Sequence, residues 1–444
     1  MRIDSIKLKN FKKFEDAEYS FDRVDEAAPD FHVIIGNNGA GKTTILDAIA
    51  IGLGVWLEKV PDSLLENSRR RLTADQKTVI ASKAGDRIQP QQKIGDTSLI
   101  LDGKILDENI DWGPILEAGK KKVSNKNSKK ALDLIWTAFE RSQKENVVLP
   151  IIAYYGAGRA WLPHNQRTKA KAKDNGKSNR WEALYDCLNE RIRLSDLNDW
   201  FRSEEIARGK REGKYRPGFS VVLQAVRASI PNVEDLYYDD DLKEIVLTID
   251  GNPQPFTNLS AGQRNLFALF ADIAVKAVTQ NNFLVPPDQL AADDEPLANV
   301  LKQTPGVVLI DELDVHLHPL WQRTVARNLS SVFPQIQFIT TTHSAQIVGE
   351  LLPWQVHVLD ENGVEQDNSQ SFGMDSNWIL KVLMGAQDQN PEVMNDVEKV
   401  YEFIREKKLE DAEKLLLELR KRVGNSETVQ RAMSTIERTR LLGK

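Results

Sequence analysis

Eight consecutive residues, Gly36-Asn37-Asn38-Gly39-Ala40-Gly41-Lys42-Thr43, restrict this chain more than any other stretch. They satisfy G-x-x-x-x-G-K-[ST] at every position. In that pattern the glycines let successive backbone N–H groups curl around phosphate oxygens that a Cβ would obstruct. The flanks agree. Phe31 to Ile35 reads as a short apolar strand that ends at Gly36. From Thr43 to about Leu57 the apolar residues Ile45, Ile49, Leu53 and Leu57 recur at helical spacing. Strand, loop and helix thus follow without a gap, and the helix directs its positive end at the same anion. Lys42 is expected to reach the β- and γ-phosphates of ATP, the Thr43 hydroxyl to hold Mg²⁺, and Thr44 to line the loop beside it.

A second stretch supplies what such a loop needs for hydrolysis. Val307-Val308-Leu309-Ile310 is a buried strand that delivers two acids, Asp311 and Glu312, at its carboxyl end. Ligands of open α/β sheets bind at that end. Asp311 is expected to bind Mg²⁺, directly or through water. Glu312 is expected to polarise a water in line with the γ-phosphate.

Between these two motifs lies Leu259-Ser260-Ala261-Gly262-Gln263-Arg264. It resembles the signature loop of ABC-type ATPases, usually written LSGGQ, with Ala261 in place of the family's second-to-last small residue, a glycine. The substitution is tolerable where that backbone has negative φ. The resemblance implies that Ser260, Ala261, Gly262 and Gln263 meet the γ-phosphate held by the P-loop of another copy. It also implies a D-loop, Glu312-Leu313-Asp314, whose Asp314 contacts the opposite subunit, and a γ-phosphate-sensing histidine, His343, after the strand that ends Ile339-Thr340-Thr341-Thr342. The family's loop glutamine has no clear counterpart. It would follow Leu149 to Tyr155, where the chain instead reads Gly156-Ala157-Gly158-Arg159, and Gln166 is late; Arg159 is an alternative phosphate or partner sensor. His316 and His318, two apart and next to Pro319, read as a cap and turn rather than as metal ligands. The acidic run Asp239-Asp240-Asp241 reads as a hairpin turn.

The opening segment, from Ile3 through Phe11 and Phe14, and the form Ile34-Ile35-Gly36-Asn37-Asn38 resemble the SMC and RecF-like branch of this family. Within it, the chain is similar to ATPases of anti-phage operons, the Septu PtuA and retron-associated kind. That similarity is carried by Tyr154 to Arg159, Glu312 to Pro319 and Phe372 to Leu380. It implies an α/β fold: an ABC-type P-loop head with a mixed sheet and flanking helices, a helical insertion and a C-terminal helical region. The corresponding division is an ATPase lobe over 1–155, an insertion and hairpin over 156–255, a second lobe over 256–385 and helices over 386–444. The implied partners are a second copy or a higher oligomer and a separate nuclease, of HNH type, which the ATPase restrains. A RecF-like repair ATPase acting directly on DNA is the alternative.

Composition limits the remaining choices. The 444 residues carry 59 Lys and Arg against 65 Asp and Glu, a net charge of -6, so any DNA or RNA–DNA contact would be local. Two stretches could make one, Lys120 to Lys130 and Arg167 to Arg180, although lysine-rich loops are also simply well solvated. No run approaches the roughly 18 apolar residues of a membrane span, and the first residues lack the apolar core of a secretory signal. Cys187 is the sole cysteine, which fits a reducing compartment, so the expected location is the cytoplasm. The charged helices after Asn390, among them Leu409 to Val423 and Ser426 to Leu442, read either as a docking surface or as a core-packing helical hairpin.

Overall fold

The computed structural model describes residues 1–57, 96–117, 124–158, 180–184, 187–188, 190, 192, 194–285, 297–386 and 390–442. The segment 64–83, whose sequence reads as a helix, lies outside these residues, as do Arg159, Gln166, 120–123 of the first basic stretch and 167–179 of the second. The chain divides into two compact units, Met1–Met374 and Asp375–Lys444.

In chain order the first unit's strands are β1 (Arg2–Phe11), β2 (Phe14–Ser20), β3 (Phe31–Gly36), β4 (Thr97–Ile105), β5 (Glu108–Trp112), β6 (Ile115–Leu116) and β7 (Ile151–Tyr155). There follow β8 (Val233–Asp239), β9 (Glu244–Ile249), β10 (Asn252–Pro255), β11 (Gly306–Ile310), β12 (Ile336–Thr341), β13 (Val356–Leu359) and β14 (Glu365–Gln366). The central sheet has the order β14-β13-β3-β12-β11-β7. From β13 to β7 its neighbours run parallel, and only β14 is antiparallel. β7, β11 and β12 are buried along their whole length, and β3 up to Gly36, because helices or a second sheet cover a parallel sheet on both faces. This is why their sequences read as unbroken apolar runs.

β1, β2, β4 and β5 form an antiparallel sheet in the order β2-β1-β4-β5, with β6 added to β4. Asp96 to Leu106 reads from the sequence as a short hairpin. Instead Thr97–Ile105 is one strand, and the chain reverses at Leu106 and Asp107 (φ 47° and 70°) into β5. Two successive left-handed residues make the turn that matches strand twist, and neither is the glycine or asparagine that would have advertised it. β8, β9 and β10 form a third sheet, in which the acidic run is a turn: Asp239 Oδ1 accepts from the N–H groups of Asp241 and Leu242, each at 2.9 Å.

Helix Lys42–Leu53 buries Ile45, Leu46, Ile49 and Leu53 in the core shared with β1, β4 and the central sheet. Fully burying each such side chain contributes about 1.5–3 kcal/mol, which fixes the helix start against the end of β3. Beside β3 a polar chain crosses the interior. Arg2 Nε pairs with Asp30 Oδ2 (2.9 Å), Asp30 Oδ1 with His32 Nε2 (3.0 Å), His32 Nδ1 with His357 Nε2 (3.0 Å), and His357 Nδ1 with Glu365 Oε1 (2.6 Å).

In the second unit, helices Pro391–Arg405, Leu409–Val423 and Glu427–Leu442 enclose a core of Val400, Ile404, Ala412, Leu416, Leu419, Val429, Ala432 and Ile436. Three helices therefore share one apolar interior, and core packing accounts for the amphipathic stripes. Among the described residues no helix is long and apolar enough to cross a membrane.

Candidate nucleotide site

The P-loop glycines adopt backbone that side chains avoid: φ is 150° at Gly36, 82° at Gly39 and 108° at Gly41. Two of them also have no room. A Cβ on Gly36 would lie 2.5 Å from the Leu359 carbonyl oxygen, and one on Gly41 would lie 2.5 Å from Phe14 Cζ. Asn37, Asn38 and Gly39 are exposed at the tip, Ala40 is buried beneath them, and Thr44 is half-buried on the helix. The Lys42 ammonium donates to the carbonyls of Gly36 (2.7 Å) and Asn37 (3.2 Å), so it lies inside the curl of the loop. Burial lowers its pKa, against the raising influence of Asp311, Glu312 and Asp314. Lys13, in the turn between β1 and β2, braces the loop from outside by donating to Gly39 O (2.6 Å) and Glu361 O (2.9 Å).

Asp311 follows β11 and is nearly buried. The Thr43 hydroxyl donates to its Oδ2 at 3.0 Å, and the Thr341 hydroxyl to its Oδ1 at 2.5 Å. Glu312, half-buried, has φ 49°, a left-handed conformation that costs a non-glycine residue about 1–2 kcal/mol. It is held there by two bonds to one residue: Glu312 N–H to Thr341 Oγ1 (2.8 Å) and Leu313 N–H to Thr341 O (2.9 Å). Three adjacent strand ends, of β3, β12 and β11, thus deliver the loop, Thr341 and the acids to one edge of the sheet.

Asp314 lies just beyond. Its Oδ1 accepts from the Thr342 hydroxyl (2.5 Å) and from the His343 N–H (3.1 Å), so one oxygen of the residue expected to meet another subunit is engaged within its own chain. His343 is exposed, on a backbone fixed by that bond. His318 caps helix Pro319–Val332 through Nδ1, which accepts from Leu320 N–H at 3.3 Å. His316, at φ 63°, occupies the turn before it.

Ser260 caps helix Ala261–Gln280 in a reciprocal box: Gln263 N–H donates to Ser260 Oγ (3.3 Å) and Ser260 N–H to Gln263 Oε1 (2.9 Å). Ala261 is the first helical residue, where alanine meets no strain. Gly262 is different, since a Cβ there would lie 2.7 Å from the His316 carbonyl oxygen. Together with Asn265 Nδ2, which donates to Val315 O at 2.9 Å, this close approach seats the signature helix on the loop after the acids. Among the described residues none of Ser260 to Gln263 bonds to the P-loop of the same chain.

The donor set suits Mg²⁺. One carboxylate and one hydroxyl, both hard oxygens 3.0 Å apart, leave the other positions to phosphates and water, as that ion prefers. Among the described residues no group of three or more His, Cys, Asp and Glu forms a competing metal site.

The family described as "AAA domain, putative AbiEii toxin, Type IV TA system" matches residues 31–349, from β3 through the strand of Thr341 and beyond His343. The chain belongs to that family. Its relatives include the Retron Vc95 probable ATPase of Vibrio cholerae, 25% identical over 93% of this chain and 85% of that protein. They also include the Septu protein PtuA of Bacillus mycoides, 24% identical over 81% of this chain and 40% of the relative. Among solved structures, the SMC head domain of Thermotoga maritima aligns with 82% of this chain and 97% of that one, at 16% identity and a TM-score of 0.40. This AAA-domain chain is thus similar over most of its length to the Retron Vc95 probable ATPase and to the Septu protein PtuA.

Proposed function

We propose that the chain hydrolyses ATP between two copies of itself. The observation that carries this is the continuous hydrogen-bonded run Thr43–Asp311–Thr341–Glu312 at the mouth of the P-loop. The loop amides and the helix N-terminus bind the phosphates, and Lys42 exchanges its two carbonyl partners for β- and γ-phosphate oxygens. Mg²⁺ held by Thr43 and Asp311 supplies charge neutralisation on those oxygens. Glu312 accepts a hydrogen bond from the attacking water and aligns it with the γ-phosphorus. His343, on its fixed backbone, reaches toward the same phosphate.

The second copy enters through the signature loop. The Ser260 oxygen takes the Gln263 N–H, which leaves the hydroxyl proton available to donate. A γ-phosphate presented by another copy's P-loop fits that exposed hydroxyl and the helix N-terminus behind it. In this reading residues 1–155 and 256–385 form the two halves of the head, 156–255 an inserted lid, and 386–444 a helical appendage.

The biological role we infer is that of an ATP-dependent sensor and scaffold in a bacterial anti-phage complex, restraining a separate nuclease of HNH type. Similarity to the Retron Vc95 probable ATPase over 93% of the chain supports this. Purification together with the products of its neighbouring genes is the test. Co-elution of a nuclease, with or without RNA–DNA, is the expected result. A lone protein that retains DNA and hydrolyses ATP faster when DNA is added would replace this role with direct action on DNA.

A further inference from the structure

We infer that Thr341 is a positioning residue that sets the two carboxylates of the site in register with each other; the inference rests on the ATPase reading above. Thr341 is the last residue of β12, between the strand that ends in the P-loop and the strand that ends in Asp311, and it is 1% exposed. Its hydroxyl has one proton and two lone pairs. The proton goes to Asp311 Oδ1 at 2.5 Å, and a lone pair takes the Glu312 N–H at 2.8 Å. One oxygen atom therefore touches both the carboxylate that faces the metal position and the backbone of the residue that activates water.

The consequences differ for the two acids. Thr341 holds Oδ1, and the Thr43 hydroxyl lies 3.0 Å from Asp311 Oδ2 and 3.3 Å from Oδ1, so Oδ2 is the oxygen that faces Thr43 more closely. The Asp311 N–H is pinned as well, by the Tyr155 carbonyl at 2.7 Å on the other neighbouring strand. Glu312 is held at φ 49°, a conformation its own side chain disfavours, so its aim depends on the Thr341 bond and on Leu313 N–H to Thr341 O at 2.9 Å. Removing the hydroxyl would delete one restraint on the Asp311 carboxylate and the Thr341 bond to the Glu312 N–H. The next residue extends the device, because Thr342 fixes Asp314 in the same way.

Valine and serine separate this role from simple packing. Val keeps the volume of threonine and loses the hydroxyl; Ser keeps the hydroxyl and loses a methyl group. Groups that orient metal ligands typically cost about 10–100-fold in affinity or activity when removed. Thr341→Val is therefore expected to lower kcat by roughly that factor. It should also raise the Mg²⁺ concentration needed for tight binding of an N-methylanthraniloyl ATP followed by fluorescence, with binding in EDTA unchanged. Thr341→Ser should stay within about threefold of wild type in both readouts, well short of that range. If Val does not fold, Thr341→Ala takes its place, since Ala and Ser both lack the methyl group and differ only in the hydroxyl. A valine or alanine variant as active and as Mg²⁺-responsive as the serine variant would overturn the inference. A wild-type protein that neither binds the analogue nor hydrolyses ATP would instead overturn the ATPase reading beneath it.

Discussion

His32 makes the stability of the P-loop strand depend on pH. It sits in β3, fully buried, with Phe21 and Trp354 edge-on to its ring at 5.5 and 5.7 Å between centroids. Because the Asp30 carboxylate can only accept, His32 Nε2 carries the ring proton and Nδ1 accepts from His357. Burial pushes its pKa down from 6.5 to about 4; the bond to Asp30 opposes this, while His357 and Arg2 add to it. The unfolded chain then binds a proton that the folded chain refuses, so acid favours unfolding. The neutral imidazole's contribution is complete above 6.5 and is lost as pH falls toward 4, on the order of 3 kcal/mol over the whole window. Between about pH 7.5 and about pH 5 the loss is about 2 kcal/mol. Asp30 adds a loss in the same direction at lower pH: burial raises its pKa, yet its bonds to His32 and Arg2 hold it below the ordinary value. Urea unfolding followed by tryptophan fluorescence, for wild type and His32→Gln side by side, reads the share of His32 and of the groups bonded to it, because titration away from this chain of contacts cancels. Wild type should lose about 2 kcal/mol more than the variant across that range. Equal pH dependence in the two proteins would refute the reasoning.

Two further outcomes follow from the site. Lys42→Ala removes the ammonium that lies inside the loop's curl and should abolish measurable binding of fluorescent ATP while the thermal unfolding midpoint stays close to wild type. Ser260→Ala deletes a helix cap worth about 1 kcal/mol, yet should leave ATP affinity of the single chain unchanged. Its ATP turnover should fall at least about tenfold, because a phosphate-binding donor from the second copy is gone; unaltered turnover would remove the signature loop from the chemistry.

Much of this arrangement was legible in the sequence because its elements are local. The run from Phe31 to Thr43 declares strand, glycine loop and helix within one stretch, and Val307 to Glu312 declares a buried strand with acids at its end. The third strand, β12, was equally plain. What the sequence could not declare was adjacency. Thr341 reads as one more β-branched residue in a strand until β12 is placed between β3 and β11, where its hydroxyl meets Asp311. Lys13 likewise gains its meaning only when the β1–β2 turn folds over Gly39. Asp314 shows the opposite limit. Motif order assigned it to another subunit, and the geometry also ties it to Thr342 and His343 of its own chain. The turn at Leu106 and Asp107 is hidden in the sequence because Leu106 does not favour left-handed backbone and no glycine follows Asp107, and sheet pairing on both sides imposes it.

The claim on which the rest depends is that ATP is held between two copies. Light scattering of Glu312→Gln, with saturating ATP and Mg²⁺, tests it most directly, because slowing hydrolysis should trap whatever assembly ATP creates. A shift from the 444-residue monomer to a dimer that needs ATP and disappears in the Lys42→Ala, Glu312→Gln double variant is the result predicted here. A variant that binds ATP and remains monomeric at saturation would contradict it.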